Sequence, residues 1–251
     1  MEKYEFVEEL GRGLFGVVYQ GVEKSSGRRH KKVVLSTISR PLTHSRYGFI
    51  HRDSKSGNLL ISRDMVVVKS ADFGLAREII PRDSDHHTNC ITHRAKTTLW
   101  YRAPEALLNS TTCGPEVDMW AMGVIMAELF NLSLMFPGQS EDNQMLRICQ
   151  VIGSPSRDTW PEGIELAKAK GFQFPECNAK SFREMIPSAS EEAIDLIGSL
   201  LSWNPRKRPT ALEALQHPFL SRYYTRFAPT FRATSNLERR NWLTRKWAKT
   251  C

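Results

Sequence analysis

The chain has 251 residues, 41% hydrophobic and 25% charged, an ordinary balance for a globular enzyme and enough for one large domain or two smaller lobes. Its net charge is +8, but much of the basic excess lies in residues 222–249, which read as a solvated tail, so no specific nucleic-acid partner is expected. The charged start Met1-Glu2-Lys3-Tyr4 and the short longest apolar run, residues 120–127, predict neither a signal peptide nor a membrane span, hence a cytoplasmic or nuclear protein; five cysteines without a C-x-x-C pair predict reduced thiols.

Residues 4–10 lead into Gly11-Arg12-Gly13-Leu14-Phe15-Gly16-Val17-Val18, and Tyr19 and Val22 continue a strand-like pattern. This predicts strand, glycine turn, strand. Glycines let backbone N–H groups approach a phosphate without side chains in the way, although the same residues also fit a plain hairpin turn. A dinucleotide-binding turn would need a helix directly after the glycines, and Val17-Val18-Tyr19 argues against one. Ser25-Ser26-Gly27-Arg28 reads as a turn before a third strand over residues 30–35, and residues 44–50 read as the end of a helix.

Residues 49–105 carry the motifs with chemical content. They contain His51-Arg52-Asp53, Lys55, Asn58, then the β-rich run Met65-Val66-Val67-Val68-Lys69 feeding Asp72-Phe73-Gly74, and finally Ala103-Pro104-Glu105. Four pieces in this order within one window resemble the catalytic domain of the eukaryotic protein kinases. A lysine two residues after the aspartate is the pattern of the serine/threonine kinases. Thr98-Leu99-Trp100-Tyr101-Arg102 resembles the group that holds the cyclin-dependent and mitogen-activated kinases. Ile148-Cys149-Gln150-Val151-Ile152-Gly153, Trp160-Pro161-Glu162-Gly163 and residues 203–220 look most like the male germ cell-associated kinase branch, whose members act on cilia and flagella.

The resemblance implies an α+β fold: a truncated β small lobe over residues 4–35, a mainly α-helical large lobe over residues 41–220, and a basic tail over residues 221–251. It implies ATP and Mg²⁺ as cofactors and protein substrates with Ser/Thr-Pro sites, the proline preference being shaped by Arg102. Asp53 would accept the proton of the substrate hydroxyl, Lys55 would neutralise the γ-phosphate, and Thr98 would support both. Asn58 and Asp72 would hold the metal, and Leu10, Gly11, Gly13, Gly16, Val18 and Lys32 would hold the nucleotide. Thr88 would be the site of an upstream activating kinase, its phosphate pairing with Arg52 and Arg77. His86, His87, Cys90 and His93 admit a metal-cluster reading, but exposed loop histidines are the commoner outcome.

The chain also departs from this family. An ungapped reading puts Val33 where the nucleotide-binding lysine belongs, with Lys32 one position away, and a one-residue slip on a strand reverses the face unless a bulge intervenes. Between Leu35 and His44 there is no room for the glutamate-bearing helix, two strands, the adenine hinge and two further helices. Apolar surface that a lost helix would cover is therefore expected to face water. Ser54, Ser56 and Gly57 stand where the family has Leu, Pro and Glu and are expected to loosen the loop. These departures leave a pseudokinase or interaction module as the alternative to an enzyme.

Downstream, residues 117–130 are apolar on nearly every face, as in a helix buried at the centre of a domain. A helix is predicted over residues 140–152. Ser188-x-x-Glu191 and Thr210-x-x-Glu213 read as capping boxes opening helices over residues 191–201 and 211–216. By resemblance, Asp118 would bind the catalytic-loop backbone and Arg208 would pair with Glu105.

Overall fold

A computed structural model of the chain describes residues 4–13, 16–23, 29–36, 49–61, 68–78 and 99–221. They fall into two compact units, one holding the N-terminal strands and the other spanning Arg40–Phe219. The first is a three-stranded antiparallel sheet of β1 (Tyr4–Gly13), β2 (Gly16–Glu23) and β3 (Arg29–Ser36) in the order β1-β2-β3. Gly13 pairs with Gly16, so the glycines sit at a hairpin end as the sequence predicts.

The pairing of β2 with β3 is irregular beside Lys32. Tyr19 pairs with Val33 but Gly21 with His30, so two β2 steps are matched by three on β3 and the register shifts across Lys31 and Lys32. One extra residue on one strand is a β-bulge, the device that shifts side-chain alternation by one.

In the second unit, two short ribbons flank the motif residues. β4 (Phe49–Ile50) pairs with β7 (Arg77–Glu78), and β5 (Leu59–Ile61) with β6 (Val68–Ser70). The helices are α1 (Pro104–Leu107), α2 (Glu116–Asn131), α3 (Glu141–Ile152), α4 (Pro161–Lys170), α5 (Phe182–Met185), α6 (Glu191–Leu200) and α7 (Ala211–Gln216). None of the described helices is long and apolar enough to cross a membrane.

Helix α2 organises this unit. Trp120, Ala121, Val124, Ile125 and Ala127 are buried in one cluster with Phe136, Ile148, Ala193 and Ile197. A Cβ on Gly123 would lie 2.9 Å from Leu200 Cβ and 3.0 Å from Leu201 Cδ2, so glycine is what allows α2 and α6 to approach so closely. Arg208 forms a buried two-pronged pair with Glu105, at 2.6 Å and 2.8 Å, while its Nε donates to the Ser202 carbonyl at 2.9 Å. Its guanidinium also stands 5.1 Å from the centre of the Trp120 ring.

Helix starts follow capping chemistry. Ser140 accepts from Asn143 N–H, and Thr210 with Glu213 forms the predicted capping box. Ser188 does not cap α6. Ser190 does, accepting from Ala193 N–H, while the Ser188 hydroxyl donates to the Phe130 carbonyl. Helix α4, which the sequence reading omits, begins with Pro161 and ends at Gly171 with φ 74°, a left-handed stop that glycine takes without strain. Among the described cysteines, Cys149 and Cys177 are free thiols, but Cys113 is disulfide-bonded, which overturns the expectation of uniformly reduced cysteines.

Candidate active site

The loop after β4 is fixed first through its backbone. The Asp118 carboxylate, in the first turn of α2, accepts from His51 N–H at 2.7 Å, Arg52 N–H at 2.9 Å and the Ser54 hydroxyl at 3.2 Å. Burial pushes the Asp118 carboxyl up, and these donors oppose it by favouring the charged form. Arg52 takes a left-handed backbone, φ 68°, a conformation that persists in a non-glycine residue only when its surroundings hold it.

His51 then ties this loop to the second motif. Its Nδ1 accepts from Asp53 N–H at 3.3 Å and its Nε2 lies 3.0 Å from the Ala71 carbonyl, which fits the tautomer with the proton on Nε2. The His51 and Phe73 rings lie 4.8 Å apart, and Ala71 N–H donates to the Asn58 carbonyl at 2.8 Å. Asp72, next in the chain, is also left-handed, φ 61°, and its carboxylate accepts from Gly74 N–H at 3.4 Å.

At the centre is the Asp53 carboxylate, which is 10% exposed. Lys55 Nζ lies 2.8 Å from its Oδ2, and Asn58 Nδ2 donates to the same oxygen at 3.2 Å and to the Asp53 carbonyl at 2.8 Å. With its amide nitrogen committed to Asp53, Asn58 keeps its amide oxygen as the atom to offer a cation. An amide oxygen and a carboxylate are the hard oxygen donors that Mg²⁺ takes.

A second cluster lies at Arg102. Burial pushes its guanidinium pKa down, while Glu141 and then Asp53 raise it; NH1 lies 3.2 Å from Glu141 Oε1. Lys170 of α4 reaches the other Glu141 oxygen at 2.8 Å and the Leu107 carbonyl at 2.6 Å. Arg52 behaves similarly: burial and then the neighbouring Arg77 push its pKa down, and Asp118 offsets them.

Asp53, Lys55 and Asn58 are thus brought together by direct contacts, and Asp72 follows Ala71, whose N–H donates to the Asn58 carbonyl. Leu10, Gly11, Gly13, Gly16, Val18 and Lys32 lie on the strands of the separate N-terminal unit. Thr88, Thr98 and the histidine cluster lie outside the described residues. Sequence reasoning missed Glu128, which accepts from Tyr101 OH at 2.6 Å and Ser56 Oγ at 3.2 Å. The signal was present: Glu128 is the one charged residue in the apolar run of α2 from Met119 to Phe130, and such a group needs partners.

An α+β fold with a mainly helical large unit, carrying this loop on its central helix, defines the class as a protein kinase domain. Comparison with known families agrees: the Protein kinase domain matches residues 31–220. The chain belongs to the protein kinase family. Among curated relatives, Cyclin-dependent kinase F-4 of Oryza sativa subsp. japonica is 51% identical over 174 residues, 68% of this chain and 36% of that protein. Serine/threonine-protein kinase MAK of Homo sapiens is 47% identical over 174 residues, 69% of this chain and 27% of that protein. Serine/threonine-protein kinase ICK of Mus musculus is 47% identical over 174 residues, 69% of this chain and 26% of that protein. The chain therefore matches about a quarter to a third of the length of these relatives.

Proposed function

We propose that this chain is a serine/threonine kinase that transfers the γ-phosphoryl group of ATP to protein hydroxyls followed by proline. The observation that carries the reading is the Asp53 carboxylate held between Lys55 Nζ and Asn58 Nδ2 on a loop bonded to the Asp72 segment. Asp53 accepts the proton of the incoming hydroxyl, and Lys55 lies beside it to offset phosphate charge. The Asn58 amide oxygen and Asp72 would hold Mg²⁺, whose contribution is to neutralise the charge that develops on the phosphates. No covalent intermediate is needed; positioning and charge neutralisation supply the rate.

Resemblance assigns Leu10, Gly11, Gly13, Gly16, Val18 and Lys32 to the nucleotide, Thr98 to support of Asp53, and Thr88 to control by an upstream kinase through Arg52 and Arg77. The bulge across Lys31 and Lys32 supports Lys32, because it supplies the one-residue shift this lysine needs. Arg102, fixed by Glu141 beside Asp53, supports the proline preference. The proposed lobes are residues 4–35 and 41–220 with a tail over 221–251, and the proposed compartment is the cytoplasm or nucleus, with the cilium suggested by the branch resembled.

A pseudokinase or interaction module is the second reading, favoured by one observation: only residues 37–48 separate β3 from β4. The test is transfer of labelled phosphate from Mg²⁺ and ATP to a Ser-Pro peptide and its Ser-Ala twin. The expected result is labelling of the first well above the second. Equal labelling removes the proline preference, and a folded chain that shows neither labelling nor a nucleotide-dependent thermal shift favours the second reading.

A further inference from the structure

Ser56 opens the three-residue 3-10 turn Ser56–Asn58 that carries Asn58 to the site. Within that turn, Asn58 spends its side-chain nitrogen on Asp53, and Gly57 is exposed with nothing within 4 Å of where a Cβ would stand. The Ser56 side chain is what bonds the turn to α2: its Oγ lies 2.8 Å from Tyr101 OH and 3.2 Å from Glu128 Oε1. Tyr101 donates in turn to Glu128 Oε2 at 2.6 Å, so two hydroxyls share one carboxylate in the last turns of α2. Two residues earlier in the loop the arrangement is mirrored by Ser54, whose hydroxyl donates to Asp118 in the first turn of the same helix.

We propose that Ser56 is a positioning residue, which with Ser54 strings the catalytic loop between the carboxylates of Asp118 and Glu128. Ten residues of helix separate these anchors, about 15 Å at the rise of an α-helix. Asp53, Lys55 and Asn58 lie on the segment between or just beyond the two serines, and a loop held at both ends presents them with less freedom than one held at the Asp118 end alone. The expected loosening by these serines is therefore corrected: each hydroxyl has found a carboxylate. Burial and the Glu128 carboxylate push the Tyr101 phenol up to about 12, against the opposing contact from Ser56.

This inference rests on the kinase reading for its consequence, but not for its first test. Hydrogen exchange of the whole chain, without nucleotide, is compared for wild type, Ser56→Ala and Ser56→Thr. Loss of one hydrogen bond of about 1 kcal/mol corresponds to exchange about fivefold faster at residues 53–58 in Ser56→Ala, with the threonine hydroxyl restoring protection. Unchanged exchange in Ser56→Ala, or a threonine variant that behaves like alanine, overturns the proposal. Should Ser56→Ala fail to fold, Glu128→Gln is read in the same way, because it weakens the acceptor while keeping the side-chain shape. In the peptide assay, kcat of Ser56→Ala is expected to fall about fivefold with KM for peptide within about twofold. A rise in KM at constant kcat contradicts a positioning role. Faster exchange in a chain that transfers no phosphate in any form upholds the tether and sinks the kinase reading instead.

Discussion

The two sides of helix α2 differ sharply. One side is packed until only glycine fits: Gly123 lies against Leu200 and Leu201, and Trp120 is fully buried beneath the Arg208 guanidinium. On the other, Met122 is 38% exposed and Leu129 61%, followed by Leu132 at 89%. An apolar helix does not choose this arrangement for its own stability. The difference teaches that the core around α6 and the Glu105–Arg208 pair is complete in this chain, whereas part of the surface of α2 lacks the cover its composition suits.

Breaking the packed side should have the largest effect on stability. Glu105→Ala leaves the Arg208 guanidinium buried without its carboxylate and is expected to cost about 3–5 kcal/mol in a denaturant titration. A loss below about 1 kcal/mol would mean that the pair is not sealed from water. Gly123→Val drives a side chain into Leu200 and Leu201 and should cost about 1–3 kcal/mol. A neutral result there would show that α2 and α6 can separate freely.

At the Glu128 end of the helix the expected signal is a pH dependence. The Tyr101 phenol holds its proton above its ordinary value of 10.0, up to about 12. Because the folded form binds that proton more tightly than the unfolded chain, the linked stability is complete below pH 10 and is lost as pH rises toward about 12. Tyr101→Phe should remove this part of the alkaline fall in melting temperature; an identical fall in both proteins would contradict the assignment. The smallest effect belongs to the open side. Leu129→Lys should change stability by no more than about 0.5 kcal/mol while reducing self-association in light scattering. A large loss of stability would show that this side is covered after all.

Much of the large unit was legible because its signals are local. The apolar run of α2, the helix expected over residues 140–152 and the Thr210–Glu213 box of α7 each announce an element from within a few residues. What was not legible depends on distant partners. Ser188 has a capping-box spacing to Glu191, yet its hydroxyl goes to Phe130 on another element, and Ser190 takes the cap. The bulge at Lys31 and Lys32 is a property of how β3 pairs with β2, not of either strand alone. Ser54 and Ser56 looked like losses because the carboxylates that receive them lie on α2, more than sixty positions away. At the site itself, the motif order pointed to Asp53, Lys55, Asn58 and Asp72, whereas Glu128, Glu141 and Lys170 emerged only from the fold.

The most direct measurement compares purified wild type with Asp53→Asn for phosphate transfer from Mg²⁺ and ATP to a Ser-Pro peptide, both proteins first shown to melt at the same temperature. The account predicts measurable transfer by wild type and a rate at least about 100-fold lower in the variant, the smaller end of what a positioned general base contributes. Equal rates in the two proteins, or no transfer by a folded wild-type chain, would contradict it.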